Sequence, residues 1–367
     1  MPGKAALVYS RDLAAYRHAD WHPLQPRRVE LTVQTIEELG LTRLENVEVH
    51  APRPASDGEV ELIHSPEYVD VVKRLGHGDD VAIEAVVEAG FAHSDNPVFE
   101  NMHEASALVA GGSLKAAELV DAGLVDHAFS PAGGLHHAMR SLAWGFCVYN
   151  DVAIAARWLK ERGHRVAVID VDVHHGDGTQ AAFYTDPDVL TISLHGFYRG
   201  FFPGTGTTDE RGIGKGEGAN LNVPLPAFTW DEPWLAAFDA VVPAALRSFR
   251  PTVLVTQDGC DTHLLDPLAE LRCSTRIWPH VARTFHELAH ELCQGRWVAL
   301  GGGGYAVDEV VPRAWTILFA ELAGVPELAA HLIDEKSSPP VPEAQERTWP
   351  EVEATLKRLK VSGGSPA

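Results

Sequence analysis

Cysteine and methionine are scarce in this 367-residue chain, which has four of the first and three of the second. Cys147, Cys260, Cys273 and Cys293 lie far apart and form no C-x-x-C pair, which excludes a disulfide framework and a thiolate zinc site as organising features. Reduced thiols, and a cytoplasmic protein, are the expectation. Long apolar runs are also lacking, and no stretch approaches the roughly 18–20 residues of a membrane span. Positive charge is the third shortage. Thirty Lys and Arg stand against 51 Asp and Glu, a net charge of −21. That argues against direct nucleic-acid binding and suits a cationic peptide or polyamine, although an ordinary acidic surface explains it as simply. No coiled-coil or swapped-strand pattern speaks to oligomeric state. No Ser/Gly/Pro linker interrupts the chain before its tail, so we expect one large domain, residues 1–330. A Pro- and charge-rich extension, 331–367, follows, with a helix over Trp349–Leu359 and a frayed GGSPA end.

What the chain does have is a regular alternation of short apolar runs and amphipathic stretches. Strands are expected at Ala5–Ser10, Val125–Ser130, Arg165–Val171, Val189–Leu194, Thr252–Gln257 and Arg296–Leu300. Helices are expected at Val29–Leu39, Ser65–Leu75, Asp80–Gly90, Glu100–Asp121, Asp151–Arg162, Asp231–Phe249, Ile277–Cys293 and Asp308–Leu322. Nothing distinctive marks Thr42–Gly58. The alternation predicts an α/β fold with an open, doubly wound parallel sheet flanked by helices.

Ligands of such sheets bind outside the carboxyl ends of the strands, and four of the loops expected there are unusual. They are PAGGLHHA (Pro131–Ala138), DVDVHHGDG (Asp170–Gly178), QDGCDTH (Gln257–His263) and GGGGY (Gly301–Tyr305). Strand alternation would put Asp170, Asp172 and His174 on one face, a row of charge that needs a cation. Asp172, His174 and Asp261 offer an O, N, O set with room for water, the pattern of a catalytic divalent metal. His136 and His137 could each be oriented by a carboxylate over that water, with Tyr305 donating to an oxyanion. The chemistry this spells is metal-assisted hydrolysis.

The stretches Gly133–Asp151, Val168–Tyr184, Thr191–Gly206, Gln257–Leu268 and GGGGY also resemble, in order, the class I-like histone deacetylases, and most of all the bacterial acetoin-utilisation deacetylases. The resemblance implies the arginase/deacetylase fold and hydrolysis of N-ε-acetyl-lysine in proteins to lysine and acetate. It implies Asp172, His174 and Asp261 as ligands of zinc or ferrous iron. His136 would pair with Asp170 and His137 with Asp177, Tyr305 would polarise the acetyl carbonyl, and His137 or His136 would return a proton to the amine. Gly145, Phe146 and Phe202 would wall the acyl-lysine channel, with Leu268 at its rim and Asp95 holding the substrate backbone. Arg28 would line an acetate-exit cavity. Structural potassium would sit on Asp170, Asp172, His174, Ser193 and Leu194, with a second ion near Phe183 and Val189.

Rival readings are few. An acetylpolyamine amidohydrolase is one, although the resemblance associates asparagine rather than Asp177 with that group. A module that binds acetyl-lysine without turnover is another, and two oriented imidazoles speak against it. HELAH at His286–His290 spells the H-E-x-x-H of zinc proteases, but Ile277, Val281, Phe285, Leu288 and Leu292 make the stripe of an ordinary crossover helix. The run Gly204–Gly218 lacks P-loop spacing and reads as a surface loop. His18 and His22 read as solvated loop side chains, and Asp258 and His263 as structural or rim residues.

Overall fold

The computed structural model describes residues 3–361; the GGSPA end lies outside them. Eight strands make one sheet: β1 (Ala5–Val8), β2 (Val47–His50), β3 (His127–Ser130), β4 (Val166–Asp170), β5 (Val189–Gly196), β6 (Asn220–Leu225), β7 (Val253–Gln257) and β8 (Trp297–Leu300). All pairings are parallel, in the order β2-β1-β3-β8-β7-β4-β5-β6. The helices are α1 (Arg27–Glu38), α2 (Asp57–Val60), α3 (Pro66–Gly76), α4 (Ile83–Glu88), α5 (Met102–Asp121), α6 (Asp151–Glu161), α7 (Asp177–Phe183), α8 (Asp231–Phe249), α9 (Trp278–Cys293), α10 (Val311–Leu322) and α11 (Pro342–Val361).

Strand alternation sorts the core onto both faces of the sheet. Leu7, Phe129, Ala167 and Ile169 pack toward α1, α8, α9 and α10, while Ala6, Val8, Ala128, Val166 and Val168 pack toward α3, α5 and α6. Register decides where the loops go. Ser130 pairs with Leu300, Leu300 with Gln257 and Gln257 with Asp170, so four adjacent strands end level with one another. The four unusual loops therefore leave from one edge.

Helices α2 and α7, strands β2 and β6 and the start of α11 differ from the sequence reading, and for the last three the physical reason is plain. The edge strand β2 buries only Val47 well, so it carries no periodic signal. The other edge strand, β6, contains Pro224, which an edge tolerates because one side of the strand needs no ladder donor. Helix α11 begins at Pro342 rather than Trp349 and buries Ala344 and Val352 against the body.

Described residues beyond 330 pack on the rest of the chain. Asp334 accepts from Thr275 N (2.8 Å), Thr275 Oγ1 (2.9 Å), Arg313 Nη2 (2.7 Å) and His263 Nε2 (3.1 Å). Burial opposes its charge, but these donors win and hold it below the usual carboxylate range. A depressed carboxylate stabilises the fold above its unfolded pKa, and that contribution is lost as pH falls toward the folded one. Asp334→Asn is expected to cost about 1–2 kcal/mol at neutral pH, a part-exposed carboxylate being screened. The gap in urea midpoint between variant and wild type should close on acidification below about pH 4; a gap independent of pH would contradict this role.

Candidate active site

Strand β4 stops at Asp170, so Asp172 and His174 are not on it, and simple alternation does not place them. Local turns do. Asp170 Oδ1 accepts from Asp172 N (3.1 Å) and Asp172 Oδ1 from His174 N (2.9 Å), so each carboxylate fixes the backbone two residues ahead. Asp261 arrives from the loop after β7, where Oδ1 accepts from Val173 N (2.8 Å). The result is a buried cluster in which Asp172, His174 and Asp261 each offer an atom within 4.8 Å of the others. His174 Nδ1 lies 3.1 Å from Asp172 Oδ1 and 3.0 Å from Asp261 Oδ2. Two buried carboxylates sharing one imidazole are poorly compensated without a cation. Burial opposes charge on His174, yet the two carboxylates raise it to about 10. Burial and the Asp172 charge together raise Asp261. This donor set fits a divalent metal ion.

The glycine-rich turn after β3 presents the two imidazoles. It is held by Asp151, whose carboxylate accepts from Gly134 N (2.9 Å), Leu135 N (2.7 Å) and Ser113 Oγ (2.5 Å). His136 Nδ1 donates to Asp170 (2.6 Å) and His137 Nδ1 to Asp177 (2.7 Å), and the two Nε2 atoms are 3.0 Å apart. At that separation one Nε2 must carry a proton. Burial works against charging His136, but Asp170 and Asp172 raise it to about 9. Burial and the charge on His136 push His137 down to about 4. Thus His137 is the neutral imidazole, and it faces the channel.

That channel, about 190 Å³, is lined by Asp95, His137, Gly145, Phe146, His174, Phe202, Leu268 and Tyr305. Phe202 lies edge-on to His137, and Phe146 to Tyr305. Gly145 has a φ of +53°, and a Cβ there would run into the His137 ring, so the wall approaches the imidazole closely only because the side chain is absent. Phe146 itself has a φ of 70°, a conformation costing about 1–3 kcal/mol outside glycine. Its carbonyl is pinned by Tyr16 Oη (2.7 Å) and His18 Nε2 (2.9 Å).

Here the reading of His18 and His22 is corrected. They are 6% and 2% exposed, not solvated. His22 donates to Asp95 O (3.2 Å) and packs against the Phe146 ring, so the pair braces one wall of the channel. Burial, then the neighbouring His22, pushes His18 down to about 4. The run after Gly204 is also more tied down than a surface loop, because Glu210 accepts from Gly206 N, Thr207 N and Gln180 Nε2.

Tyr305 lines the same channel as His137, anchored by its backbone N–H on Asp266 (2.8 Å). Burial, then Asp261 and Asp172, keep the phenol protonated. Arg28 is buried behind the glycine loop, donating to Gly302 O (2.6 Å) and Gly304 O (3.2 Å). It also lines a small second cavity with Tyr16, Leu24, Ala132 and Leu135. Ser193 is the register neighbour of Asp170, with its hydroxyl 2.9 Å from His195 Nδ1. Asp258 is buried on Thr256 Oγ1 (2.6 Å), and His263 is turned to Asp334, so neither joins the cluster.

Four further residues orient the site without having stood out in the sequence. They are Asp151 and Asp266, described above; Gln257, which donates to Asp172 Oδ2 (2.8 Å); and Trp144, which donates to Asp177 Oδ2 (3.1 Å). Their partners are remote in the chain, and only the tail position of Gln257 on β7 could have drawn attention. Gly303 also matters. Its N–H donates to Asp172 Oδ2 (2.6 Å), and a methyl there would collide with Asp261 Oδ2 and lie 2.7 Å from Asp172 Oδ2. Gly303→Ala is expected to weaken divalent-metal affinity about 10–100-fold, the scale for disturbing ligand support, as read by competition with a chromophoric chelator. Unchanged affinity would show that the glycine is not needed for close approach.

A family model described as a histone deacetylase domain matches residues 22–322. The chain belongs to the histone deacetylase family. Within it, the acetoin utilization protein AcuC of Bacillus subtilis (strain 168) is 41% identical over 322 residues, covering 88% of this chain and 82% of that protein. AcuC of Staphylococcus aureus (strain MSSA476) is 39% identical over 330 residues, 90% of this chain and 84% of that one. A crystal structure of an HDAC homolog complexed with SAHA superimposes with a TM-score of 0.82 at 31% identity, covering 97% of this chain and all of that one. This histone deacetylase relative is therefore an amidohydrolase with the arginase/deacetylase fold, of a metal-dependent family. Among the described residues no helix is long and apolar enough to cross a membrane.

Proposed function

We propose that the protein is a cytoplasmic lysine deacetylase, hydrolysing the acetamide of N-ε-acetyl-lysine in proteins or peptides to lysine and acetate. The observation that carries this is the channel: narrow, apolar-walled by Gly145, Phe146, Phe202 and Leu268, and ending at His137, His174 and Tyr305. A cavity of about 190 Å³ with such walls suits an extended butyl-acetamide. Asp95, with its side chain 40% exposed, is suited to accept from substrate backbone amides.

Asp172, His174 and Asp261 would hold a divalent ion, zinc or ferrous iron, whose chemistry when bound is Lewis-acid polarisation of the acyl carbonyl and of a water. His137 Nε2 takes a proton from the attacking water as the water oxygen bonds to the acyl carbon, with Asp177 fixing the tautomer. Tyr305 donates to the carbonyl oxygen as it gains charge. The C–N bond then breaks as His137 returns the proton to the departing amine. His136, charged beside Asp170, favours the negative charge that develops. Arg28 would receive the released acetate in the cavity behind the glycine loop. Asp170, Asp172, His174, Ser193 and Leu194 would hold a structural potassium ion, and the segment at Phe183 and Val189 a second.

The substrate class is tested by comparing kcat/KM on acetyl-lysine peptides and on acetylated putrescine and spermidine. Hydrolysis of the peptides well above the polyamines is expected. Preference for the polyamines would replace the protein substrate with a small-molecule one, and turnover of neither would leave only a binding role.

A further inference from the structure

The H-E-x-x-H stretch of α9 meets the start of β3 at the opposite end of the sheet from the channel. His127 opens β3 three residues before Ser130, roughly 10 Å down the strand from the catalytic loops at about 3.3 Å per residue. It is fully buried, and among the described residues neither ring nitrogen makes a well-formed hydrogen bond, the Gly295 and Asp126 backbones only nearing the ring. A buried polar group left in this way is costly and asks for an explanation. His286 and His290, one helical turn apart on α9, close over it. Their ring centroids lie 4.7 and 5.1 Å from that of His127 and 4.9 Å from each other. One nitrogen from each of the three lies within 4.8 Å of the other two.

The surroundings are those of metal-binding histidines. His286 Nδ1 is turned to α10, 3.1 Å from Glu321 O and 3.3 Å from Glu321 Oε1, which fixes the tautomer and leaves Nε2 as the free donor atom. Glu321 is itself buried, and its Oε2 lacks a partner.

We propose that His127, His286 and His290 form a second, non-catalytic site for a nitrogen-seeking divalent transition ion, zinc being the reference case, with Glu321 orienting His286. Three imidazoles with the fourth position left to water is a sound set for such an ion. At about 2.0–2.1 Å per bond, tetrahedral ligands stand about 3.4 Å apart, so the triad must close somewhat on binding. Part-buried His286 and exposed His290 can rotate to do so, while the sheet holds His127. Nothing proteolytic follows. Glu287 is exposed and outside the cluster, and the third histidine comes from an upstream strand. The ion would instead clamp α9 to β3 and α10.

The test counts zinc per chain by elemental analysis after dialysis against low micromolar zinc, and reads thermal melting alongside. Wild type is expected to hold two ions. Asp172→Asn with Asp261→Asn should keep one, and its melting temperature should still rise with zinc. Adding His286→Gln and His290→Gln to that variant should take the count to zero and remove the rise. His286→Gln with His290→Gln alone should hold one ion and retain wild-type hydrolysis, which also shows that it folds. Because the triad is counted with the active-site ligands removed, the result stands apart from the deacetylase reading. No zinc in the Asp172→Asn, Asp261→Asn protein, or an ion there that survives the histidine substitutions, would overturn the proposal.

Discussion

His137→Ala is expected to lower kcat on an acetyl-lysine peptide by about 10²–10⁴, the range for removing a positioned general base, with KM little changed. Of the two imidazoles only His137 lines the channel, and it is the one held neutral. The substitution leaves Asp177 with Trp144 Nε1 and Gly178 N as donors, so the buried carboxylate is not orphaned and the fold survives. The loss in stability should stay within about 1–3 kcal/mol, measurable by urea titration. A second consequence concerns His136. With its neighbour gone, it no longer shares a proton across the 3.0 Å contact, so the residual rate should follow a different pH profile from wild type. Turnover near the wild-type rate would remove His137 from the mechanism.

Tyr305→Phe should lose about 10²–10³ in kcat, the worth of one oxyanion donor. The ring remains, and so does its edge-on contact with Phe146 and the backbone hydrogen bond to Asp266, because neither uses the phenol oxygen. Melting temperature and metal content should therefore match wild type. This separates the donor role from a packing role. If the variant turned over normally, the oxyanion would have to be met by another group. If it lost metal along with rate, the phenol would be acting through the cluster rather than on the substrate.

The site was legible where chemistry is compressed into short stretches. Asp170 to Asp177 and the adjacent His136 and His137 are local, and a parallel sheet brings its strand ends to one edge whatever the details. Strand alternation alone nonetheless does not account for Asp172 and His174, since β4 ends at Asp170 and carboxylate-to-backbone turns carry the chain onward. Strands β2 and β6 escaped because edge strands need neither apolar alternation nor a full ladder. His18 and His22 escaped because their burial depends on Phe146 and Asp95, residues distant in the chain. H-E-x-x-H lies on a crossover helix, as its apolar stripe indicates, but nothing in its own stretch indicates that His127 of β3 lies beneath it.

On the reading proposed above, Asp172, His174 and Asp261 hold the ion on which hydrolysis depends. It is tested most directly by acetate release from an acetyl-lysine peptide before chelation, after chelation, and after zinc or ferrous iron is restored. We expect release to stop on chelation, to return with the ion in wild type, and not to return in Asp261→Asn. Full release from chelated enzyme, or restoration of Asp261→Asn to the wild-type rate, would contradict the claim.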